Sequence, residues 1–367
     1  MIMHLTRTIA RFFPAPRLLM PRAAGVDITD SSVKWITLTP LGDGFQIESF
    51  GSETIPAGVV QNGVIKDVQV LGEVLSTVRK RIGTVYAHAA LPEEGAYVFS
   101  MHVPGEASTV EITNMIEFEL EGRVPVPVPD TVYDYDVIEG HQDGSGTEIG
   151  VVAFSKDIAA GYAAAFKAGG IELLSLEIEA RSIARAVMDP RGTDPITLLV
   201  DTGMSRTGFA ILKRGIPIFT STVEVGGAQM TKVVMELLNV DEKEAQVFKN
   251  EQGLVVVDQS KAKVTEALTK VATGLADEVS RHYHFWDTRR NEHGERVTPV
   301  EMVLLVGGSA NLKGITDFIA GKVHARTERP NVWRNVNSFD VYVPPIDRRT
   351  SLQYATAIGL ALRGQLV

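Results

Sequence analysis

Two aspartates, each closing an apolar strand, are the residues of this sequence best placed to do chemistry. Asp27 lies in Gly25-Val-Asp-Ile-Thr-Asp-Ser-Ser-Val-Lys34 and Asp201 in Leu198-Leu-Val-Asp-Thr-Gly-Met-Ser-Arg-Thr-Gly-Phe-Ala-Ile211. Carboxylates that face each other across a cleft suit Mg²⁺, a hard cation that keeps its waters and uses one or two carboxylates beside substrate phosphates. A lone aspartate at a turn more often caps its own loop; a matched pair points to a nucleotide-type site. The two segments correspond at an offset of 174 positions, where Ser31 meets Ser205, Trp35 meets Phe209 and Leu38 meets Leu212. Thr29, Ser31, Ser32 and Lys34 follow the first aspartate, and Gly203 and Ser205 follow the second. Their hydroxyls, amides and ammonium are groups that receive phosphate oxygens. A third turn, Val303-Leu-Leu-Val-Gly-Gly-Ser-Ala-Asn-Leu-Lys-Gly314, carries Gly307 and Gly308, where backbone can approach a ligand closely, and Ser309, expected to cap a following helix.

Each aspartate needs a strand to carry it and a hairpin to hold its loop. Residues 26–55 read as three strands broken by turns at 29–32 and 41–44, and strands recur from Pro195 to about Val225. Strand-turn-strand differs from the strand-turn-helix of a dinucleotide fingerprint or a Walker loop. Two related α/β halves, each presenting a hairpin tip to a shared cleft, account for the repetition. Leu71, Val74, Leu75, Val78 and Ile82 predict an amphipathic helix over 67–81. Strands follow at 85–91 and 96–103. Ser108 and Glu111 then form a capping box for a helix with Ile112, Met115, Ile116 and Leu120 on one face, and Glu117, Glu119 and Glu121 largely on the other. Alternating prolines at 125–129 cannot donate to a ladder and predict an extended connection. A hairpin over 133–154, turning at 140–146, completes a small α+β module inserted at about 85–155. Helices are expected at 157–167, 179–188, 227–238 and 241–250, a long one through Val264, Leu268, Val271 and Leu275, and a closing one at 352–362.

Other chemistry is poorly served. His282 and His284 are two apart and would face opposite sides of a helix, which is unsuited to metal ligation. The hydrolase elbow Gly-x-Ser-x-Gly is absent, and the chain has no cysteine for thiolate sites or disulfides. At 367 residues with 44% apolar content, the chain can build two cores. No run of 18 apolar residues predicts a membrane span. Net charge is −9, yet residues 1–22 carry four arginines and no acid, leaving an acidic body that argues against nucleic-acid binding. Residues 1–13 place Ile2, Leu5, Ile9, Phe12 and Phe13 on one helical face, which suits peripheral membrane contact; an arm packed on the body is the equal alternative.

The three turns, in this order and with two strand-end aspartates, resemble the actin-like ATPase superfamily. About residues 24–364 resemble its branch of PilM type IV pilus assembly proteins, relatives of the cell-division protein FtsA. The resemblance extends through Glu117-Phe-Glu119, Val124-Pro125, Tyr133-Asp-Tyr135, Val152-Ala-Phe-Ser-Lys156, Glu177-Ile-Glu-Ala180 and Ala357-Ile-Gly-Leu-Ala-Leu362. It implies two actin-like lobes of duplicated ribonuclease-H-like domains. The first spans 23–190 with the insert, the second 191–350, and a closing helix at 351–364 returns to the first. It also implies ATP with Mg²⁺ at Asp27, Thr29, Ser31, Ser32, Lys34, Asp201, Gly203, Ser205, Lys249, Gly307, Gly308 and Ser309, the metal falling to Asp27 and Asp201.

The sequence departs from the family pattern at Thr29, where glycine is usual and which tolerates positive φ poorly, and at Asp30, where a serine commonly meets phosphate. Each close carboxylate–phosphate pair is repulsive by roughly 1 kcal/mol or more. Met204 and Arg206 occupy the second tip, with Arg206 a compensating charge or a solvated one, and Gln246 stands where a glutamate is expected. The nucleotide cleft is therefore expected to be slow or degenerate, with no catalytic residue assigned. The resemblance further implies a cytoplasmic scaffold, peripheral on the inner membrane and self-associating in a ring with other pilus components. It binds the N-terminal peptide of a PilN-like inner-membrane protein, here near Glu117, Phe118, Glu121 and Val126. The alternatives are an FtsA-like, membrane-tethered polymer or, less favoured, a small-molecule phosphotransferase.

Overall fold

The computed structural model describes residues 21–140, 146–256, 258–290, 297–363 and 365. The basic segment expected over residues 1–13 and most of the turn expected at 140–146 lie outside the described residues. An antiparallel meander of β1 (Ala23–Ile28), β2 (Ser32–Leu41) and β3 (Gly44–Thr54) opens the fold. β1 is buried along its whole length, as befits a central strand, whereas edge strand β3 alternates with solvent. A two-residue ladder, β4 (Val60–Gln61) with β5 (Val64–Ile65), leads into α1 (Val68–Arg79). Asp67 caps that helix by accepting from the Gln69 and Val70 amides, both at 3.0 Å. β6 (Tyr86–Leu91) then returns parallel to β1.

The predicted insert follows as β7 (Tyr97–Val103), α2 (Thr109–Arg123), β8 (Thr131–Gly140) and β9 (Thr147–Ser155), with sheet order β7-β9-β8. The Ser108–Glu111 capping box opens α2, whose Ile116 and Leu120 join Phe99, Met101, Val103, Ile149 and Val151 in a separate small core. α3 (Lys156–Ala168), β10 (Glu172–Ile178, parallel to β6) and α4 (Glu179–Val187) complete the first half.

The second half repeats the plan with β11 (Thr197–Thr202), β12 (Thr207–Lys213) and β13 (Ile216–Val223). Helices α5 (Gly227–Leu238), α6 (Glu242–Glu251) and α7 (Ala262–Asp287) precede β14 (Met302–Val306), α8 (Ile315–Val323) and β15 (Arg326–Glu328). The strand orders β3-β2-β1-β6-β10 and β13-β12-β11-β14-β15 are the same order, with matching parallel and antiparallel pairs. After α9 (Arg348–Ser351), α10 (Ala355–Ala361) closes the chain against β1 and α4. It lies so close that a Cβ on Gly25 would fall 2.0 Å from the Ala357 carbonyl oxygen. Among the described residues no helix is long and apolar enough to cross a membrane.

The two halves differ from expectation after β14. Gly308–Asn311 forms a tight 3₁₀ turn, and α8 starts only at Ile315. Ser309 therefore caps no helix and is released to bond elsewhere.

Candidate functional site

Across the first hairpin, Asp27 on β1 stands opposite Lys34 on β2. The turn between them is held by Thr29, whose amide donates to the Ser32 carbonyl at 2.9 Å and whose hydroxyl accepts from the Ser32 amide at 3.1 Å. Lys34 Nζ donates to Ser32 Oγ at 3.1 Å. Thr29 is not among the described residues with positive φ, so its side chain makes the turn that a glycine would make by backbone freedom. The expected strain at this position does not arise.

The second hairpin and the third turn are pinned to each other. Gly203 N–H closes its tip on the Arg206 carbonyl at 2.9 Å, while its own carbonyl accepts from Gly227 N–H and Ser309 Oγ, both at 3.0 Å. Gly307 adopts φ +84°, and a Cβ there would lie 2.4 Å from Asp201 Oδ1. Only glycine meets both demands. Gly227 likewise has no room, with Ser309 Oγ 2.1 Å from a Cβ position, so the Gly226-Gly227 pair serves close packing at the head of α5.

These turns surround one cleft of about 620 Å³ that gathers all twelve residues singled out for a nucleotide: Asp27, Thr29, Ser31, Ser32, Lys34, Asp201, Gly203, Ser205, Lys249, Gly307, Gly308 and Ser309. Lys249 is buried, not solvated, and donates to Thr231 Oγ1 at 2.9 Å; burial lowers its pKa, against the charge of Glu242. Four wall carboxylates were not singled out from the sequence: Glu93 and Glu94 after β6, Glu179 at the head of α4, and Glu242 at the head of α6. The motif Glu177-Ile-Glu-Ala180 was visible, but only the fold turns its second glutamate into the cleft.

Burial and crowding raise the proton affinity of these acids. Asp201 is pushed up to about 7 by burial and then by Asp27, with Lys34 opposing. Burial and neighbouring carboxylates lift Glu179 well above its usual range, and burial lifts Asp27 against the pull of Lys34. Glu93 reaches about 8, chiefly through burial. Asp27 Oδ1 and Glu93 Oε2 are buried without a hydrogen-bond partner.

Arg206 corrects the expectation for Asp30. Its guanidinium bridges from the second hairpin to both Asp30 and Glu94. Asp30 also accepts from the Gly63 and Asn62 amides at 3.0 and 3.2 Å. Its charge is thus engaged by three N–H donors before any anion arrives, and Arg206 is an ion-paired strap between the two hairpin tips rather than a solvated residue.

The residues singled out for a partner lie apart from the cleft, on α2 and the connection after it. Phe118 is 76% exposed, the most accessible aromatic side chain on this helix, and Glu121 is exposed beside it. Glu117 accepts from the Tyr133 hydroxyl at 2.8 Å, which orients it. Val126 turns inward and packs on the core of the insert, so it offers less to a visitor than Phe118 does. His282, discounted as a ligand, stacks on Phe209 with ring centroids 4.0 Å apart.

A family model described as type IV pilus assembly protein PilM matches residues 25–365. Among solved structures, a PilM–PilN type IV pilus biogenesis complex is similar over 94% of this chain and 98% of its own, at 20% identity and a TM-score of 0.74. Ethanolamine utilization protein EutJ of Carboxydothermus hydrogenoformans is 18% identical over 95% of this chain and 91% of its own, with a TM-score of 0.53. MreB 5 of Spiroplasma citri bound to AMPPNP is 12% identical over 94% and 96%, with a TM-score of 0.51. At these identities the likenesses speak for the fold, while the family match spans all three turns, the insert and the closing helix. The chain belongs to the PilM family of type IV pilus assembly proteins.

Proposed function

We propose that this protein is a cytoplasmic scaffold of a type IV pilus-like machine that captures the N-terminal peptide of a PilN-like inner-membrane protein and is thereby held at that membrane. The observation that carries the reading is the family match over residues 25–365, which includes the insert as well as the cleft. The related PilM–PilN complex supports the choice of partner. In this reading the chain has two ribonuclease-H-like lobes, 23–190 with the closing helix and 191–350, and the shared strand order of its two sheets supports the duplication. Exposed Phe118 is the apolar anchor for the peptide, and Glu121 with Glu117 faces its basic residues. Self-association in a ring and contact with other inner-membrane pilus components belong to the same proposal.

Mg²⁺ with ATP fits the cleft on the structure's own terms. Asp27 Oδ1 is a buried acceptor with no partner, and Asp27 and Asp201 line the same cleft beside Lys34. Asp27 and Asp201 would hold the cation. Thr29, Ser31, Ser32, Lys34, Gly203 and Ser205 would face phosphates, and Lys249 with Gly307, Gly308 and Ser309 would frame the nucleoside. The magnesium ion would supply positive charge among the crowded carboxylates, and the nucleotide would supply phosphate oxygens for both hairpins to share. The chain's own part is to orient: Lys34 steadies Ser32, Ser309 steadies Gly203, and Arg206 holds Asp30 away from the phosphates.

Calorimetric titration with Mg·ATP and with the synthetic partner peptide tests both parts, using Asp201→Ala for the cleft and Phe118→Ser for the peptide. Micromolar nucleotide binding that Asp201→Ala abolishes is expected. No heat at millimolar Mg·ATP would remove the nucleotide from the proposal. Unchanged peptide affinity in Phe118→Ser would remove the α2 face.

A further inference from the structure

The cleft wall carries two side-chain networks. One ties α5, α6 and the third turn together: Lys249 donates to Thr231 Oγ1, Thr231 Oγ1 donates to the Gly227 carbonyl at 3.0 Å, and Ser309 reaches Gly203. The other joins the two hairpin tips to the segment after β6, where Arg206 pairs with both Asp30 and Glu94. With the nucleoside framed by the first network, as proposed, a lengthening phosphate chain advances on the second. What it meets there is negative. One guanidinium stands against two carboxylates, which leaves one negative charge uncompensated. The three side chains are only 21%, 29% and 22% exposed for Arg206, Asp30 and Glu94, so water screens that surplus less than it would on an open surface. Lys34, the other cation of the hairpins, stands opposite Asp27 and bonds Ser32.

Asp30 is also fixed in place. Asn62-Gly63 joins β4 to β5 with φ +49° and +70°, the paired left-handed conformations for which this dipeptide is favoured. Both amides of that turn donate to the Asp30 carboxylate, at 3.2 and 3.0 Å. From beneath, the fully buried Tyr162 donates its hydroxyl to the Gly63 carbonyl at 3.0 Å. A Cβ on Gly63 would fall 2.3 Å from Pro92 Cβ, so the turn is packed on the segment that carries Glu94 as well. A relaxed turn anchored on the core thus holds the carboxylate where it is. If Arg206 left for a terminal phosphate, it would strand Asp30 and Glu94 beside that phosphate. If Arg206 stayed, the phosphate would face their surplus charge. Either course opposes a third phosphate and spares a shorter chain.

We propose that the cleft selects a nucleoside diphosphate over the triphosphate, with Asp30 setting the selection and Arg206, Glu94 and the Asn62-Gly63 turn positioning it. The selection rests on the nucleotide reading of the cleft and gives it a direction: the occupant this protein retains is the diphosphate.

The test is calorimetry on the full chain, stripped of any carried nucleotide, with Mg·ADP, Mg·ATP and the non-hydrolysable Mg·AMPPNP. Mg·ADP is expected to bind at least about tenfold tighter than either of the other two, on the scale of one uncompensated close charge pair. Asp30→Ser is the decisive variant, and should tighten Mg·ATP and Mg·AMPPNP about tenfold relative to Mg·ADP. Glu94→Gln removes a charge while leaving the Asn62-Gly63 turn its carboxylate, and should narrow the same gap, so the outcome does not hang on a variant that loosens that turn. Mg·ATP and Mg·AMPPNP bound by the wild type as tightly as Mg·ADP, or a gap unchanged in both variants, would overturn the selection and leave the nucleotide reading standing. No heat from any of the three would remove that reading, and the selection with it.

Discussion

Replacing Glu93 by glutamine should make the protein more stable, and increasingly so as pH rises. Glu93 is only 7% exposed; one oxygen accepts from the Ala180 amide at 2.6 Å and the other has no partner. Burial, and then the charges of Glu94 and Asp201, carry its pKa from 4.5 up to about 8 against the bond from Ala180. A carboxyl raised in the folded state holds a proton that the unfolded chain gives up. Its contribution is complete below about pH 4.5 and is lost as pH climbs through about 8. Each pH unit in that window costs ~1.4 kcal/mol, so from pH 5.5 to 7.5 the folded protein loses roughly 2–3 kcal/mol through this one group.

Glutamine keeps an acceptor for Ala180 and has no proton to lose. The other cleft acids titrate in both proteins and largely cancel in the difference. In magnesium-free buffer with chelator, the thermal midpoint of Glu93→Gln should therefore rise relative to wild type by about 3–4 °C between pH 5.5 and 7.5. Midpoints that run parallel across this range would falsify the account, and would mean that water reaches Glu93 and keeps its carboxyl ordinary.

Three further outcomes follow from the same geometry. Arg206→Gln cuts the strap between the hairpin tips, and amide exchange at 29–32 and 203–206 should accelerate by about tenfold, equivalent to ~1.4 kcal/mol of local opening; unchanged exchange would show the strap to be ornamental. Gly307→Ala places a methyl 2.4 Å from Asp201 Oδ1 at φ +84°, and should lower stability by roughly 2 kcal/mol or more while abolishing Mg·ATP binding; a wild-type midpoint would contradict it. Phe118→Ser removes an exposed ring, and should leave the midpoint within about 1 °C of wild type while weakening the partner peptide at least about tenfold, as measured by fluorescence anisotropy.

The hairpins were legible because each is a local pattern: apolar strand, aspartate, polar tip, returning strand. Burial periodicity likewise marked α1 and α2, and the Ser108–Glu111 box fixed where α2 begins. What the sequence hid depends on long-range placement. Glu93 and Glu179 enter the cleft from elements separated by 86 positions, and no local pattern distinguishes them from solvated acids. Asp30 read as a repulsive intrusion because its partners, Asn62, Gly63 and Arg206, lie 32 to 176 positions away. Ser309 looked like a helix cap because Val303–Gly314 reads as strand into helix; the intervening 3₁₀ turn appears only once its hydroxyl is seen to be committed to Gly203.

The insert belongs to the first half by chain connection, yet it rests on the second. Gly150 of β9 admits Ile216 so closely that a Cβ would fall 2.8 Å from its Cγ2, and Glu148 and Glu139 pair with Lys213 and Arg214 of the β12–β13 hairpin. The three bodies therefore form a closed linkage with no free joint. A change in the angle between the two five-stranded sheets must either break the contact at β13 or tow the insert along, shifting the outer face of α2. Under the second outcome the cleft and the α2 surface share one degree of freedom. Whatever factor an occupied cleft applies to capture of a segment on α2, that segment must apply in equal measure to the cleft.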